Sequence, residues 1–417
     1  MKTAARAAVL AWLIAAVYYF YQYMLRSAPA VMLPELSTAF GISAAGVASL
    51  AGLFYFGYSP FSLVAGVAMD RFGPRRVIPF GAALVGVGAL MFASGGHGLA
   101  SIGRFLQGAG GVFALIGAVY IATHSFPPSK AATLIGATQM FGMGGGSAGQ
   151  FAVGPMIAAG VAWSTFWVGM GIAGLVIAVL LLLLIPKRPA GAAAAQGPGV
   201  IAGLVTVFRN PQSLLCGAIA GLMFIPTTIF DMVWGVRFLQ EGIGYDYGEA
   251  VMRSATVPLG WMIGCPLLGA ISDKLGRRKP VMLAGGVVLL GCLAWILYGP
   301  ADILPPYLLG TVTGIASGAA MLPYTVIKEA NPAELGGTAT GVVNFLNFTF
   351  SALLGPVFAA KLVDASGGIA QMRLEHYQVA FEPLLYGVGL ALVLILVLRE
   401  TGPARAPTNP ELARSSQ

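Results

Sequence analysis

Three charged residues lie deep inside apolar runs of this 417-residue chain: Arg26, Arg104 and Asp231. Glu35 and Arg237 sit nearer the ends of such runs. A charge in hydrocarbon costs about 2.5–3.5 kcal/mol on insertion scales, so each calls for a purpose. The planar donor fork of a guanidinium such as that of Arg26 suits a carboxylate or phosphate. An embedded carboxylate such as Asp231 can carry a proton: desolvation favours its neutral form and a neighbouring arginine its charged form. Arg26 and Asp231 fall at matching depths in the two halves of the sequence. They can form a coupling pair, in which substrate takes Arg26 and frees Asp231 for a proton. The plainer alternatives are a static ion pair between the halves, a charge at the outer mouth, or Arg26 snorkelling to the membrane edge.

Other polar side chains are sparse. Gln22, Gln139, Asn344 and Asn347 lie within apolar runs, and the two asparagines share a helix face. Each lines a cavity or ties helices together. Tyr23, Tyr55 and Trp234 are candidate substrate contacts, with core packing or an interfacial belt as the alternative. No nucleophile–base–acid set is visible, so the chain is not read as an enzyme. Cys216, Cys265 and Cys292 form no C-x-x-C pair, and His97, His124 and His376 lack ligand spacing. No metal, cofactor or nucleic-acid partner is expected.

The elements that must position these residues follow from composition. Hydrophobic residues make up 57% of the chain and charged residues 9%, against about 25% charged in soluble proteins. Mean hydropathy is +0.83. So much apolar surface excludes a soluble enzyme or a disordered protein and leaves a polytopic membrane protein. The runs are long and do not alternate, so the fold class is all-α, not a barrel. Twelve spans are predicted near 8–34, 45–69, 77–95, 99–123, 131–155, 163–185, 213–238, 248–271, 281–298, 304–327, 337–362 and 381–398. The organisation is a six-helix bundle over 1–185, a linker over 186–212, a second bundle over 213–398 and a tail over 399–417. Within the linker, an Ala/Gly/Pro stretch precedes a short interfacial helix. The basic, apolar start reads as an uncleaved first span, because its apolar stretch outruns a signal peptide.

Two segments repeat. Residues 66–77 read GVAMDRFGPRRV and residues 269–280 read GAISDKLGRRKP. A weaker echo links 121–139 to 324–342. Parallel repeats of six spans imply a pseudo-twofold axis along the membrane normal and a site between the halves. Most of the 23 Lys and Arg residues fall on one side if both termini are cytoplasmic, as the positive-inside rule requires. Asp70 and Asp273 stand beside Arg clusters at span ends. They can latch the two halves together, or the loops are simply tight turns carrying inside charges.

These motifs resemble the major facilitator superfamily. Gly66, Asp70, Arg71, Gly73, Arg75 and Arg76 match its signature loop; Gly269, Asp273, Lys274, Gly276, Arg277 and Arg278 match the degenerate second copy. The run Arg104-Phe-Leu-Gln107-Gly108-x-Gly110 is similar to its fourth-span motif. The resemblance covers essentially the whole chain and implies alternating access, with the loops as gating motifs. It also implies that Arg104 either holds the fourth span against the first or tunes a proton site. The stretch from Gln22 to Leu36 looks like the first span of the organophosphate:phosphate antiporters and their organic-anion relatives, where the arginine binds the substrate anion. That role carries to Arg26. Those antiporters use a second arginine in the seventh span; Pro226 stands there in this sequence. A two-arginine phosphate clamp is therefore missing, which favours a singly charged or zwitterionic solute. Pro226 is also expected to interrupt its span and free carbonyls. In the fifth span, Gln150 replaces a glycine of the drug/proton antiporter motif, so that signature is partial.

The resulting expectation is a secondary transporter of the cytoplasmic (inner) membrane, monomeric, moving a small carboxylate, sugar acid, amino acid or short peptide with protons. A drug/proton antiporter and a non-transporting sensor or scaffold are the alternatives.

Overall fold

The computed structural model describes residues 2–126, 128–186, 200–301, 303–332, 335–368 and 372–402. The stretch 187–199 of the expected linker and the tail beyond 402 lie outside the described residues. Every element within them is helical, and ten helices are long and apolar enough to cross a membrane. The first six spans are Lys2–Ser27, Ala44–Phe72, Pro74–Ala93, His97–Ser125, Pro128–Phe151 and Trp163–Leu184. The last five are Tyr247–Leu275, Lys279–Tyr298, a broken tenth span, Gly336–Ser366 and Leu374–Val397. The tenth consists of Leu308–Ser317 and Leu322–Glu329 joined by a 3-10 turn at Gly318–Met321.

The seventh span departs from expectation. Its α-helix Pro211–Ile225 is not interrupted at Pro226, whose φ of −52° and ψ of −37° are helical. The winding instead widens to a π-helix over Pro226–Gly235 and again over Phe238–Ile243. Proline removes one intrahelical donor, and the looser winding absorbs the mismatch without a break.

Spans one to six pack together, as do spans seven to twelve, and the halves meet along spans two with eleven and five with eight. Small residues permit these crossings. A Cβ on Gly145 of span five would collide with the Phe20 carbonyl of span one, and one on Gly108 of span four with that of Phe54 in span two. Both repeat loops end a helix on a glycine with positive φ, Gly73 at 76° and Gly276 at 59°. Side chains rarely adopt this conformation, which is why both copies keep the glycine. Val200–Arg209 forms the helix expected after the linker and lies along span eleven, with Phe208 and Phe345 ring centroids 6.1 Å apart.

The halves also touch at the end opposite the repeat loops. There the turn Ala28–Val31 after span one abuts the π-helical part of span seven. Tyr247 of span eight donates its hydroxyl to the Val31 carbonyl at 2.6 Å. Ser147 of span five donates to the Ala255 carbonyl at 2.8 Å.

Candidate functional site

Tyr19, Gln22, Tyr23 and Arg26 follow one another at helical spacing, so span one presents them on a single face. The Arg26 side chain enters a cage of aromatic rings. Its Cζ lies 4.1 Å from the centroid of Tyr23, 4.7 Å from Phe54, 5.7 Å from Tyr55, 4.8 Å from Tyr58 and 5.0 Å from Phe348. Phe348 comes from span eleven, so the cage is closed by both halves. Arg26 is 2% exposed. Among the described residues it makes a long hydrogen bond, Nη2 to Gln22 Oε1 at 3.4 Å. Nε and Nη1 of Arg26 and Nε2 of Gln22 are buried without a partner. Ring faces attract the cation but supply no acceptor. The spare donors form an anion-binding fork in an aromatic shell.

A polar chain borders this cage. Asn347 Nδ2 donates to Tyr324 Oη at 3.0 Å, and Tyr324 donates to Asn344 Oδ1 at 2.9 Å. Asn344 Nδ2 then crosses to Ser62 of span two at 2.8 Å. Asn347 Oδ1 is buried and unpartnered. Gln139 accepts from Tyr19 Oη at 3.1 Å, which brings span five to the same face. Tyr55 donates to the Thr228 carbonyl in the π-helical part of span seven at 3.2 Å. Trp234 is packed inside the C-terminal half with Phe381, their centroids 6.5 Å apart, and is not among the rings around Arg26.

Asp231 is buried, but among the described residues no ion pair joins it to Arg26. Its Oδ1 accepts from Ser254 Oγ at 2.9 Å and its Oδ2 has no partner. Its backbone carbonyl, in contrast, accepts from Gln150 Nε2 of span five at 3.5 Å. The residue therefore turns its carbonyl toward the N-terminal half and its carboxylate toward span eight. The static pair and the direct coupling pair are both unformed in this conformation. The π-helical winding, which sequence pattern did not reveal, sets that orientation.

Arg104 is held within the N-terminal half. It donates to Leu25 O at 3.2 Å, Gln107 Oε1 at 2.7 Å and Ala51 O at 3.1 Å. It thereby ties span four to spans one and two, and no bond leads from it to Asp231. Its Cζ stands 5.2 Å from the Phe54 centroid, so one ring serves two guanidiniums.

Among the loop residues, Arg75 donates to Ile185 O at 2.7 Å, fastening span six of its own half. The side chains of Asp70 and Arg71 lie outside the described residues, and Arg76 is exposed. Arg278 pairs with Asp273 at 2.5 Å and Glu329 at 2.8 Å, and donates to Ser272 Oγ at 3.1 Å. Arg277 only closes the turn, its N–H reaching Ser272 O at 3.3 Å. These bonds stay inside the C-terminal half, so the described side chains make no latch between the two loops. Spacing in the sequence placed the charges together but could not say to which half each guanidinium would turn.

Phe54, Phe348 and Ser254 stand beside these candidate residues although the sequence did not single them out. Phe54, Tyr55 and Tyr58 did carry a signal, an aromatic face at i, i+1 and i+4. Phe348 carried none beyond its place beside Asn347.

Comparison with known proteins agrees with this architecture. The family model described as Major Facilitator Superfamily matches residues 15–356. A hexuronate transporter of Bacillus subtilis is 29% identical over 370 residues, covering 83% of this chain and 85% of the relative. The membrane sensor protein UhpC of Salmonella typhimurium is 24% identical over 421 residues, covering 92% and 89%. Among solved structures, an inward-facing bacterial homologue of the human lysosomal transporter Spinster superposes with a TM-score of 0.69 at 17% identity, covering 94% of this chain and 95% of that one. Two helical bundles, repeated loops and a charged site closed by both halves thus come with a family match over most of the sequence, and the chain belongs to the Major Facilitator Superfamily, a multi-pass membrane transporter of small solutes.

Proposed function

We propose that this protein carries a small organic monoanion, such as a hexuronate or another simple carboxylate, together with a proton. The observation that carries this reading is the unsatisfied guanidinium of Arg26, buried with Nε and Nη1 free in a cage built by both halves. A buried donor without a partner is costly, and a carboxylate relieves that cost while a neutral or cationic solute does not. The single embedded arginine at the cage centre suits one negative charge. The hexuronate relative, matched over most of its length, favours the same class.

Asp231, with one free carboxylate oxygen, is the proposed proton carrier. It does not touch Arg26, so coupling runs through span seven. Tyr55 contacts the Arg26 guanidinium and also bonds to Thr228 of the π-helical segment that holds Asp231. Anion binding that draws Tyr55 inward would shift this segment and alter the surroundings of Asp231. Rocking of the halves would break the Tyr247–Val31 contact at one end and open the site there. The Lys/Arg bias favours cytoplasmic termini, and the inner membrane is the proposed location. One chain supplies the whole cage, consistent with a working monomer.

The test is uptake of labelled glucuronate into proteoliposomes, with and without an inward proton gradient. Gradient-driven accumulation that disappears in Arg26→Ala supports the reading. In Asp231→Asn, exchange should survive while accumulation is lost. Glucuronate flux unaffected by Arg26→Ala would overturn the assignment. A second reading has its own support in the sensor relative: binding of the anion at Arg26 without flux under any gradient would mark a sensor. Export of lipophilic cations with no response to carboxylates would mark a drug antiporter.

A further inference from the structure

A cavity of about 90 Å³ lies wholly within the C-terminal half, between spans seven, eight, nine and ten. It does not include Arg26 or any ring of its cage. Its walls are apolar, with Phe230, Val257, Leu293 and Ile296 among them. Asp231 and Ser254 stand in this lining as a polar spot. Asp231 is 5% exposed; Ser254 occupies its Oδ1, and Oδ2 is left without a partner. Tyr307 lines the same space and has a φ of 72°, the one positive value among the described non-glycine residues. Such a conformation is costly for a bulky side chain and gathers at ligand clamps. The π-helical winding of span seven passes along the cavity, another feature frequent at functional sites.

We propose that this cavity is a second ligand site, for a small alkylammonium held by Asp231 with its chain along the apolar walls. The chemistry narrows the choice. An anion would face a carboxylate with nothing to offset the repulsion. A metal ion would find one carboxylate and one hydroxyl, short of the six or more oxygens that hard cations gather. A neutral apolar molecule would fill the space but leave Oδ2 unbonded. Arg253 also lines the cavity, but its guanidinium is already committed, donating twice to Glu249 Oε1 at 2.9 and 2.6 Å and lying 4.0 Å from the Tyr245 ring centroid. It does not replace the missing cation at Asp231. The volume is below the roughly 150 Å³ that admits benzene, so a short alkyl chain is the matching size. This site goes beyond the transport reading: it shares no residue with the Arg26 cage, and Asp231, the proposed proton carrier, is common to both readings.

The experiment is thermal unfolding of the full chain in detergent with n-butylammonium chloride, against equal sodium chloride and equal n-butanol. The expected result is a midpoint raised by about 1–3 °C by the ammonium alone. The rise should vanish in Asp231→Asn, which keeps the size and the Ser254 contact, and in Val257→Phe, which fills the cavity. It should persist in Arg26→Ala. An equal rise with n-butanol would reduce the site to an apolar hole and overturn the proposal. So would a rise that survives Asp231→Asn or Val257→Phe, or one abolished by Arg26→Ala. Should Asp231→Asn fail to fold, Val257→Phe decides alone. Loss of glucuronate transport in the separate uptake assay would leave this result untouched, so the two readings fail independently.

Discussion

Two arginines of this protein, Arg26 and Arg278, are both buried and yet are treated in opposite ways. Arg278, between spans eight and nine, has all three guanidinium nitrogens bonded: Asp273, Ser272 and Glu329 accept from them, and Glu400 takes its backbone N–H at 2.7 Å. Burial alone would lower its pKa, but Glu329 and Asp273 outweigh that and hold it above the ordinary arginine value. Arg26 has rings on every side and one long bond. A guanidinium with every nitrogen engaged by its own half fixes the structure around it. One with donors to spare, buried where the two halves meet, suits the proposed role of holding something that comes and goes.

The largest effect that could break this contrast is at Arg26. Arg26→Ala should lower anion uptake by about 100-fold or more, the equivalent of losing one or two charge-assisted hydrogen bonds. The thermal midpoint should hardly move, since little native bonding is lost. A fall in midpoint matching the fall in uptake would make Arg26 structural and erase the distinction. Arg278→Ala should do the reverse. It should destabilise by about 1–2 kcal/mol in thermal or denaturant unfolding, with the exposure of Asp273 keeping the loss below that of a fully buried pair. Anion affinity in that variant should stay at the wild-type value.

Phe348→Leu sharpens the comparison from the cage side. It removes one ring face from the Arg26 cation, worth about 0.5–1 kcal/mol, and should raise KM roughly 2- to 5-fold with kcat little changed. The smallest effect is at Glu400. Burial alone would raise its pKa, but the N–H groups of Arg278, Gly402, Lys279 and Thr401 outweigh this and hold it below the usual carboxylate range. A depressed folded value means that the linked stability is full above the ordinary glutamate pKa, about 4.3, and is lost as the pH falls through the lower folded value. Glu400→Gln should therefore cost about 0.5 kcal/mol at neutral pH, with variant and wild type converging in strong acid. A gap that persists in acid would show that the carboxylate charge is not what holds the loop.

The same contrast divides what a linear reading can reach. Arg26 was conspicuous because a charge in an apolar run is rare, and Gln22 and Tyr23 are its neighbours on one helical face. Gly73 and Gly276 were conspicuous because the repeat preserved them. Phe54 and Phe348 were not, because a phenylalanine in a membrane span looks like any other lipid-facing or packing side chain. The expected bond from Arg26 to Asp231 rested on equal depth, and depth alone says nothing about the direction a side chain takes around its helix axis. Among the described side chains Arg278 turns to its own half for the same reason: its place in the repeat did not reveal that Glu329 would take its guanidinium and Glu400 its backbone N–H.

The sequence by itself determined the membrane-spanning all-α class, the doubled six-span plan and the existence of a costly buried cation. These follow from local hydropathy and from the recurrence of a few motif residues, which need no knowledge of contacts. Only the tertiary structure decided that Arg26 is caged by rings from both halves, that Asp231 turns to Ser254 and a cavity of its own, and that Trp234 belongs to the core beside Phe381. Those outcomes depend on helix rotation and winding, above all the π-helical turn after Pro226, where adding a residue per turn redirects every side chain that follows.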